Sequence, residues 1–109
     1  MVEYTNERMR RDLEKFLNKV KKYYIIKKAI IFGSRARGDY FLDSDVDLIL
    51  ISNDFKDLKF IDRIGNIIKF WNYPIDLEVI CYTPEEFDKM KKRIGLVKKA
   101  LEEGIILKI

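Results

Sequence analysis

Two apolar runs joined by a short polar link set the tightest limit on how this chain folds. The first, Ala29-Ile30-Ile31-Phe32, stops at Gly33-Ser34; the second opens at Asp45-Val46-Asp47 and continues through Leu48-Ile49-Leu50-Ile51. Only ten residues, Arg35 to Ser44, lie between Ser34 and Asp45, so strands built from these runs must be neighbours. A link that short suits an antiparallel pair. Leu48 and Leu50 alternate with Ile49 and Ile51, which predicts a second strand, Val46 to Ser52, covered on both faces at the centre of a sheet.

Both ends of the link carry chemistry. A strand of about Lys27 to Phe32 running into Gly33-Ser34 and a helical turn leaves backbone N–H groups without carbonyl partners, aligned with the positive end of the helix dipole, which is an anion site. Gly33 admits close approach of a phosphate, and the Ser34 hydroxyl adds a donor. At the other end, alternation along a strand puts Asp45 and Asp47 on one side, with Cα atoms roughly 6.6 Å apart at the rise of a β-strand. Paired carboxylates repel unless a cation lies between them, and Mg²⁺, an oxygen-seeking ion that travels with phosphates, fits. Read alone, Asp43-Ser44-Asp45 is also an ordinary turn ahead of a strand, as is Gly38-Asp39. Neither an EF-hand loop from Asp43, which has Leu48 and Asp54 where Gly and Glu are required, nor a P-loop is present.

Around these strands the periodicity predicts helices. Met9, Leu13, Phe16, Leu17 and Val20 define a helix of about Thr5 to Lys22, whose remaining face, rich in Arg and Lys with Glu7, Asp12 and Glu14 interleaved, reads as solvated. Phe60, Ile61, Ile64, Ile67, Ile68 and Trp71 predict a second, from about Leu58 to Trp71. A third strand, about Ile75 to Tyr82, places Asp76 and Glu78 on one face, and the helix-containing link before it suits a parallel crossover. Thr83-Pro84-Glu85-Glu86 is a capping box with Pro at the first helical position. The stripe Phe87, Met90, Ile94, Val97, Leu101 follows, interrupted near Gly95 and closed by Gly104. Ile105 to Ile109 reads as a short edge strand or an exposed apolar end. The expected class is α/β (α+β), a small mixed sheet of three to four strands with helices packed around it, and one domain over residues 1–109.

Gly33-Ser34, the ten-residue spacer and Asp45-x-Asp47 opening a strand resemble the motif of the DNA polymerase β superfamily of nucleotidyltransferases, and within it the minimal nucleotidyltransferases. The resemblance runs from about Lys27 to the C-terminus. It implies the polymerase β-like fold and Asp76 as the third carboxylate, with Glu78 next along the same face. It further implies two Mg²⁺ ions, or Mn²⁺, held by Asp45, Asp47 and Asp76, which are also the implied catalytic residues. Gly33, Ser34 and Arg37 would bind the nucleotide, Arg37 because relatives carry a basic residue there near the phosphates. Surface solvation is an equal reading for Arg35 and Arg37. Small members of the group resemble antitoxins that move AMP from ATP to a tyrosine of a helical HEPN-type toxin, which makes ATP, or another nucleoside triphosphate, and such a toxin the implied partners.

Composition narrows the rest. With no histidine and one cysteine, Cys81, zinc sites, histidine-based nucleophilic catalysis and internal disulfides are excluded. No apolar run matches a membrane span and the N-terminus lacks a signal-peptide core, so a cytoplasmic protein is expected. A formal charge of +4 permits nucleic-acid contact without requiring it. Two rivals stand beside transfer: an antitoxin that neutralises a partner by binding alone, with a vestigial nucleotide pocket, and a small nucleic-acid-binding module resting on the basic first helix.

Overall fold

Thr5 starts the first element: its backbone is extended, and its hydroxyl accepts the Arg8 N–H at 3.1 Å. From there α1 (Asn6–Val20) buries Met9, Leu13, Phe16, Leu17 and Val20, the face that the spacing predicts. Asp12 departs from expectation by joining the buried side. Tyr4 Oη donates to its carboxylate at 2.5 Å, so the charge is buried with a partner. The computed structural model that shows this describes residues 3–109.

Four strands follow, β1 (Lys28–Phe32), β2 (Val46–Ile51), β3 (Leu77–Tyr82) and β4 (Ile105–Leu107), in the sheet order β3-β2-β1-β4. β1 is antiparallel to both β2 and β4, whereas β2 and β3 are parallel. Link length explains the difference. The thirteen residues from Gly33 to Asp45 reverse the chain between β1 and β2, but the longer connection from β2 to β3 carries α3 (Phe60–Ile68) across the sheet. The C-terminal apolar run is the edge strand, with Ile106 left 60% exposed.

Because side chains alternate, the sheet has two apolar faces and a helical layer on each. Ala29, Ile31, Leu48, Leu50, Val79 and Cys81 pack with α1 and with Ile67 of α3. Ile30, Phe32, Ile49, Ile51 and Tyr82 pack with Phe87 of α4 (Pro84–Met90) and with Val97 and Ala100 of α5 (Leu96–Glu103). The capping box at the start of α4 is complete: Thr83 Oγ1 accepts the Glu86 N–H at 3.2 Å, and Glu86 Oε1 accepts the Thr83 N–H at 2.7 Å. Among the described residues, no helix is long and apolar enough to cross a membrane.

The structure corrects the sequence in three places. First, α3 ends at Ile68, not Trp71; the amides of Phe70 and Trp71 turn back to the carbonyls of Ile67 and Ile68 at 3.1 and 3.0 Å. Trp71 still reaches the core, edge-on to Phe16 at 5.5 Å between centroids, and its indole N–H donates to the Ile75 carbonyl at 2.6 Å. Second, Phe60 and Ile61 are exposed, and Arg63 takes the inward position. Its guanidinium donates to the carbonyls of Leu58 and Cys81 at 3.1 and 3.2 Å and to Glu86 at 2.5 Å. Burial works against the Glu86 charge, but the bonds from Arg63 and Thr83 outweigh it and hold the carboxyl below its ordinary range. Third, Ile94 is 95% exposed, because the chain leaves the helical path between α4 and α5 and Gly95 adopts a φ of 151°.

Gly104 does close α5, for a packing reason. Its φ of −78° is open to any residue. A Cβ there, however, would collide with the Ala100 carbonyl oxygen of α5 and lie 2.8 Å from Ile30 Cγ2 and 2.9 Å from the Ile31 carbonyl oxygen of β1. Gly104→Ala is therefore expected to lose about 1–3 kcal/mol of stability, the usual cost of forcing an extra carbon into a packed core. Urea denaturation measures it, and an unchanged midpoint would refute the packing account.

Candidate active site

Register decides which side chains meet. Phe32 pairs with Asp47, and Asp47 pairs with Glu78, in one row across β1, β2 and β3. One step nearer the sheet end, the Val46 N–H donates to the Asp76 carbonyl at 3.0 Å, setting Asp76 beside Asp45. By alternation, Asp45, Asp47, Asp76 and Glu78 occupy the same face at the same end of the sheet. The predicted convergence of the end of β1 with the starts of β2 and β3 is thus observed.

Gly33 sits against this row. Its φ of 73° and ψ of −159° belong to glycine, and a Cβ would run into a carboxylate oxygen of Asp47. The Gly33 carbonyl accepts the N–H groups of Ala36 and Arg37, both at 3.1 Å, and so winds the single turn of α2 (Ser34–Arg37). Gly38, with φ 91°, ends that turn. As the first amides of a helix, those of Ser34 and Arg35 have no carbonyl partner within it. Arg37 extends from the same turn and pairs with Asp39 at 3.3 Å and Glu103 at 3.4 Å. The Asp39 bond, followed by Glu103, raises its pKa further.

Crowding shows in the electrostatics. Burial, then the hydrogen bond with Glu78 and the charges of Glu78 and Asp45, push Asp47 up to about 7 from 3.8. Asp45 is raised as well, by burial first and then by the charges of Asp76 and Glu78, while Arg35 pulls the other way. These acids line two clefts. One, of about 340 Å³, is lined by Gly33, Arg37, Asp47, Glu78, Lys99 and Glu103 over an apolar floor of Phe32, Ile80 and Ala100. The other, of about 410 Å³, is lined by Asp45, Asp76 and Glu78 with Ile68, Trp71 and Tyr73. Glu78 borders both.

The donor set matches a hard divalent cation: every ligand on offer is a carboxylate oxygen, and their mutual repulsion has no counter-charge within the row. Among the described residues no three acidic groups are already closed around a point.

Of the residues singled out from sequence, Gly33, Asp47 and Arg37 line one cleft, Asp45 and Asp76 the other, and Ser34 opens α2 beside Gly33. Glu78 is nearer to Asp47 than the choice of Asp76 implies. Lys99 and Glu103 escaped sequence reading altogether. They come from α5, more than fifty residues beyond Asp47, and look like any other charges on a helix. Arg35, for which solvation stood as an equal reading, is 1% exposed.

Comparison with known proteins gives consistent matches. The family model described as a nucleotidyltransferase domain matches residues 13–107. A Methanocaldococcus jannaschii protein, described as a candidate protein adenylyltransferase, is 35% identical over 98 residues, 87% of this chain and 93% of that protein. A crystal structure of a candidate nucleotidyltransferase from Sulfolobus solfataricus superposes with a TM-score of 0.68, covering 93% of this chain and 80% of that one. At 24% identity, that likeness concerns the fold.

The acid row makes stability depend on pH. The folded Asp47 carboxyl keeps its proton up to about 7, the unfolded one only to 3.8, so the folded state binds more protons between those values. Stability conferred by this group is therefore lost as pH rises through that window. Asp47→Asn should raise the melting temperature of the metal-free protein at pH 8. A gain on the order of 1 kcal/mol, after discounting for solvent screening, corresponds to roughly 4 °C. Below pH 3.8 the two proteins should converge. Calorimetric scans across pH test this, and a variant no more stable than the parent at pH 8 would contradict it.

Proposed function

This chain belongs to the nucleotidyltransferase domain family, and on that premise we propose that it transfers AMP from ATP to a hydroxyl of a protein acceptor. The observation that carries the reading is the corner at which Gly33 underlies Asp47, with Asp45, Asp76 and Glu78 alongside and Arg37 and Lys99 across the adjoining cleft. ATP and a protein acceptor are favoured by the description of the Methanocaldococcus relative. The acceptor in this proposal is a tyrosine of a HEPN-type toxin, for which the chain serves as antitoxin.

Asp45, Asp47 and Asp76 would hold Mg²⁺, or Mn²⁺; bound there, the ions neutralise triphosphate charge and acidify the acceptor hydroxyl. The chain's own residues do the rest. Gly33, lacking a Cβ, and the amides and hydroxyl at Ser34 receive the outgoing phosphate oxygens. Lys99 and Arg37 supply positive charge along that cleft, Arg37 by exchanging Glu103 for phosphate. In the cleft that it lines with Asp45, the Asp76 carboxylate takes the acceptor proton as the acceptor oxygen bonds to the α-phosphorus. The bond from the α-phosphorus to the bridging oxygen breaks, and pyrophosphate departs with that oxygen. This reading is supported by Asp76 lining a different cleft from the one that Gly33 lines, since an in-line nucleophile and the leaving group need separate approaches to the α-phosphorus.

Incubation with α-labelled ATP, Mg²⁺ and the product of the adjacent gene tests the proposal. Label should move to that partner, and chelation of divalent ions should abolish transfer. Asp45→Asn and Asp47→Asn should each reduce it by more than ~100-fold, since loss of groups that merely support metal ligands already costs 10–100-fold. Neutralisation of the partner without label, surviving both substitutions, would instead establish an antitoxin that works by binding.

A further inference from the structure

Arg35 is among the most deeply buried of the described side chains, at 1% exposure, yet among the described residues its guanidinium meets no carboxylate within salt-bridge distance. Carbonyl and amide oxygens take its protons. Nε donates to the Ser44 carbonyl at 3.0 Å and Nη2 to the Leu42 carbonyl at 3.1 Å. Nη1 donates to the Tyr4 carbonyl at 2.6 Å and to Asn6 Oδ1 at 3.2 Å. Asn6 Nδ2 returns a bond to the Arg35 carbonyl at 3.1 Å, and the Tyr4 N–H donates to the Leu42 carbonyl at 3.0 Å. The rings of Tyr40 and Tyr4 flank the guanidinium carbon, their centroids 4.8 and 5.3 Å away. Burial lowers the Arg35 pKa, against the opposing pull of Tyr40, Tyr4, Asp43 and Asp45.

The Ser44 carbonyl belongs to the peptide unit that ends in the Asp45 amide. That unit is planar, so fixing its oxygen fixes the direction in which the chain enters Asp45. The Phe41 to Ser44 turn, closed by the Ser44 N–H to the Phe41 carbonyl at 3.0 Å and by the Phe41 N–H to Ser44 Oγ at 2.9 Å, contributes the second constraint. Tyr4 and Asn6, which anchor the other side, precede the family-matched residues 13–107.

We propose that Arg35, braced by the Tyr4–Asn6 segment, is a positioning residue for Asp45: it holds the spacer loop so that Asp45 presents its carboxylate beside Asp76 and Asp47. The inference rests on the metal-dependent transfer proposed above. Position, not charge, is what Arg35 supplies, because only a planar fork can satisfy carbonyls in three directions.

The test compares Arg35→Gln, Arg35→Lys and Asn6→Ala with the parent and with Gly104→Ala, a destabilised control remote from the loop. Mn²⁺ binding in the presence of ATP is read by electron paramagnetic resonance of the free ion, and transfer is titrated against Mg²⁺. Both Arg35 variants should bind Mn²⁺ at least ~10-fold more weakly, as expected when support of a metal ligand is lost. Their half-maximal Mg²⁺ concentration should rise in step, with Lys giving no rescue. Asn6→Ala, which removes one anchor and leaves the core intact, should shift both by a few fold, and Gly104→Ala should shift neither. Wild-type Mn²⁺ affinity in folded Arg35→Gln, rescue by Lys, or an equal defect in Gly104→Ala overturns the positioning role; if the Arg35 variants do not fold, an unchanged Asn6→Ala overturns it. Failure of the parent itself to bind Mn²⁺ overturns the metal-dependent reading, and this inference with it.

Discussion

Asp47 lays its carboxylate against the α-carbon of Gly33, and the rest of the site is arranged to permit that contact. A side chain at position 33 would separate β1 from β2 at the point where they are paired, Phe32 against Asp47. Glycine removes the obstacle and takes a φ of 73° that carries the chain into α2. One atom's absence therefore brings a helix start and a carboxylate into the same corner. The parallel register of β2 and β3 then adds Glu78, and the step before it adds Asp76.

Concentrating acids in this way costs stability, and the cost falls on the end of the sheet where least core is at stake. Beyond Asp47, β2 is sealed on both faces by Leu48, Ile49 and Leu50. The strand is thus a rigid apolar rod with a charged tip. Its neighbours on either side, and helices above and below, leave the tip little freedom to relieve repulsion by moving. Burial first, and the neighbouring charges of Glu78 and Asp45 after it, therefore push the Asp47 carboxyl up to about 7.

Two buried guanidiniums hold the frame around this rod. Arg63 joins the end of β3 to the start of α4 through the Cys81 carbonyl and Glu86. Arg35 joins the N-terminal segment to the spacer loop through the carbonyls of Tyr4, Leu42 and Ser44. In both, a planar donor collects backbone oxygens that regular structure leaves over, where an apolar residue would strand them.

The chain's own sequence fixed its elements because each depends on neighbours: the capping box at Thr83 and Glu86, the α1 stripe, the two-faced apolar run of β2, and the lengths of links that force one antiparallel and one parallel pair. It also marked Gly33, Ser34, Asp45 and Asp47, since a cradle and a dicarboxylate ten residues apart cannot be far apart in space. Tertiary structure alone decided which charges are buried. Arg35 and Arg63 are indistinguishable in sequence from solvated arginines, as Asp12 is from a solvated aspartate, and Ile61 and Ile94 from core. Whether such a side chain turns inward depends on carbonyls and rings supplied by segments as far as 31 residues away, and so on packing that no local period encodes. Lys99 reached the cleft for the same reason, by the docking of α5 over β1.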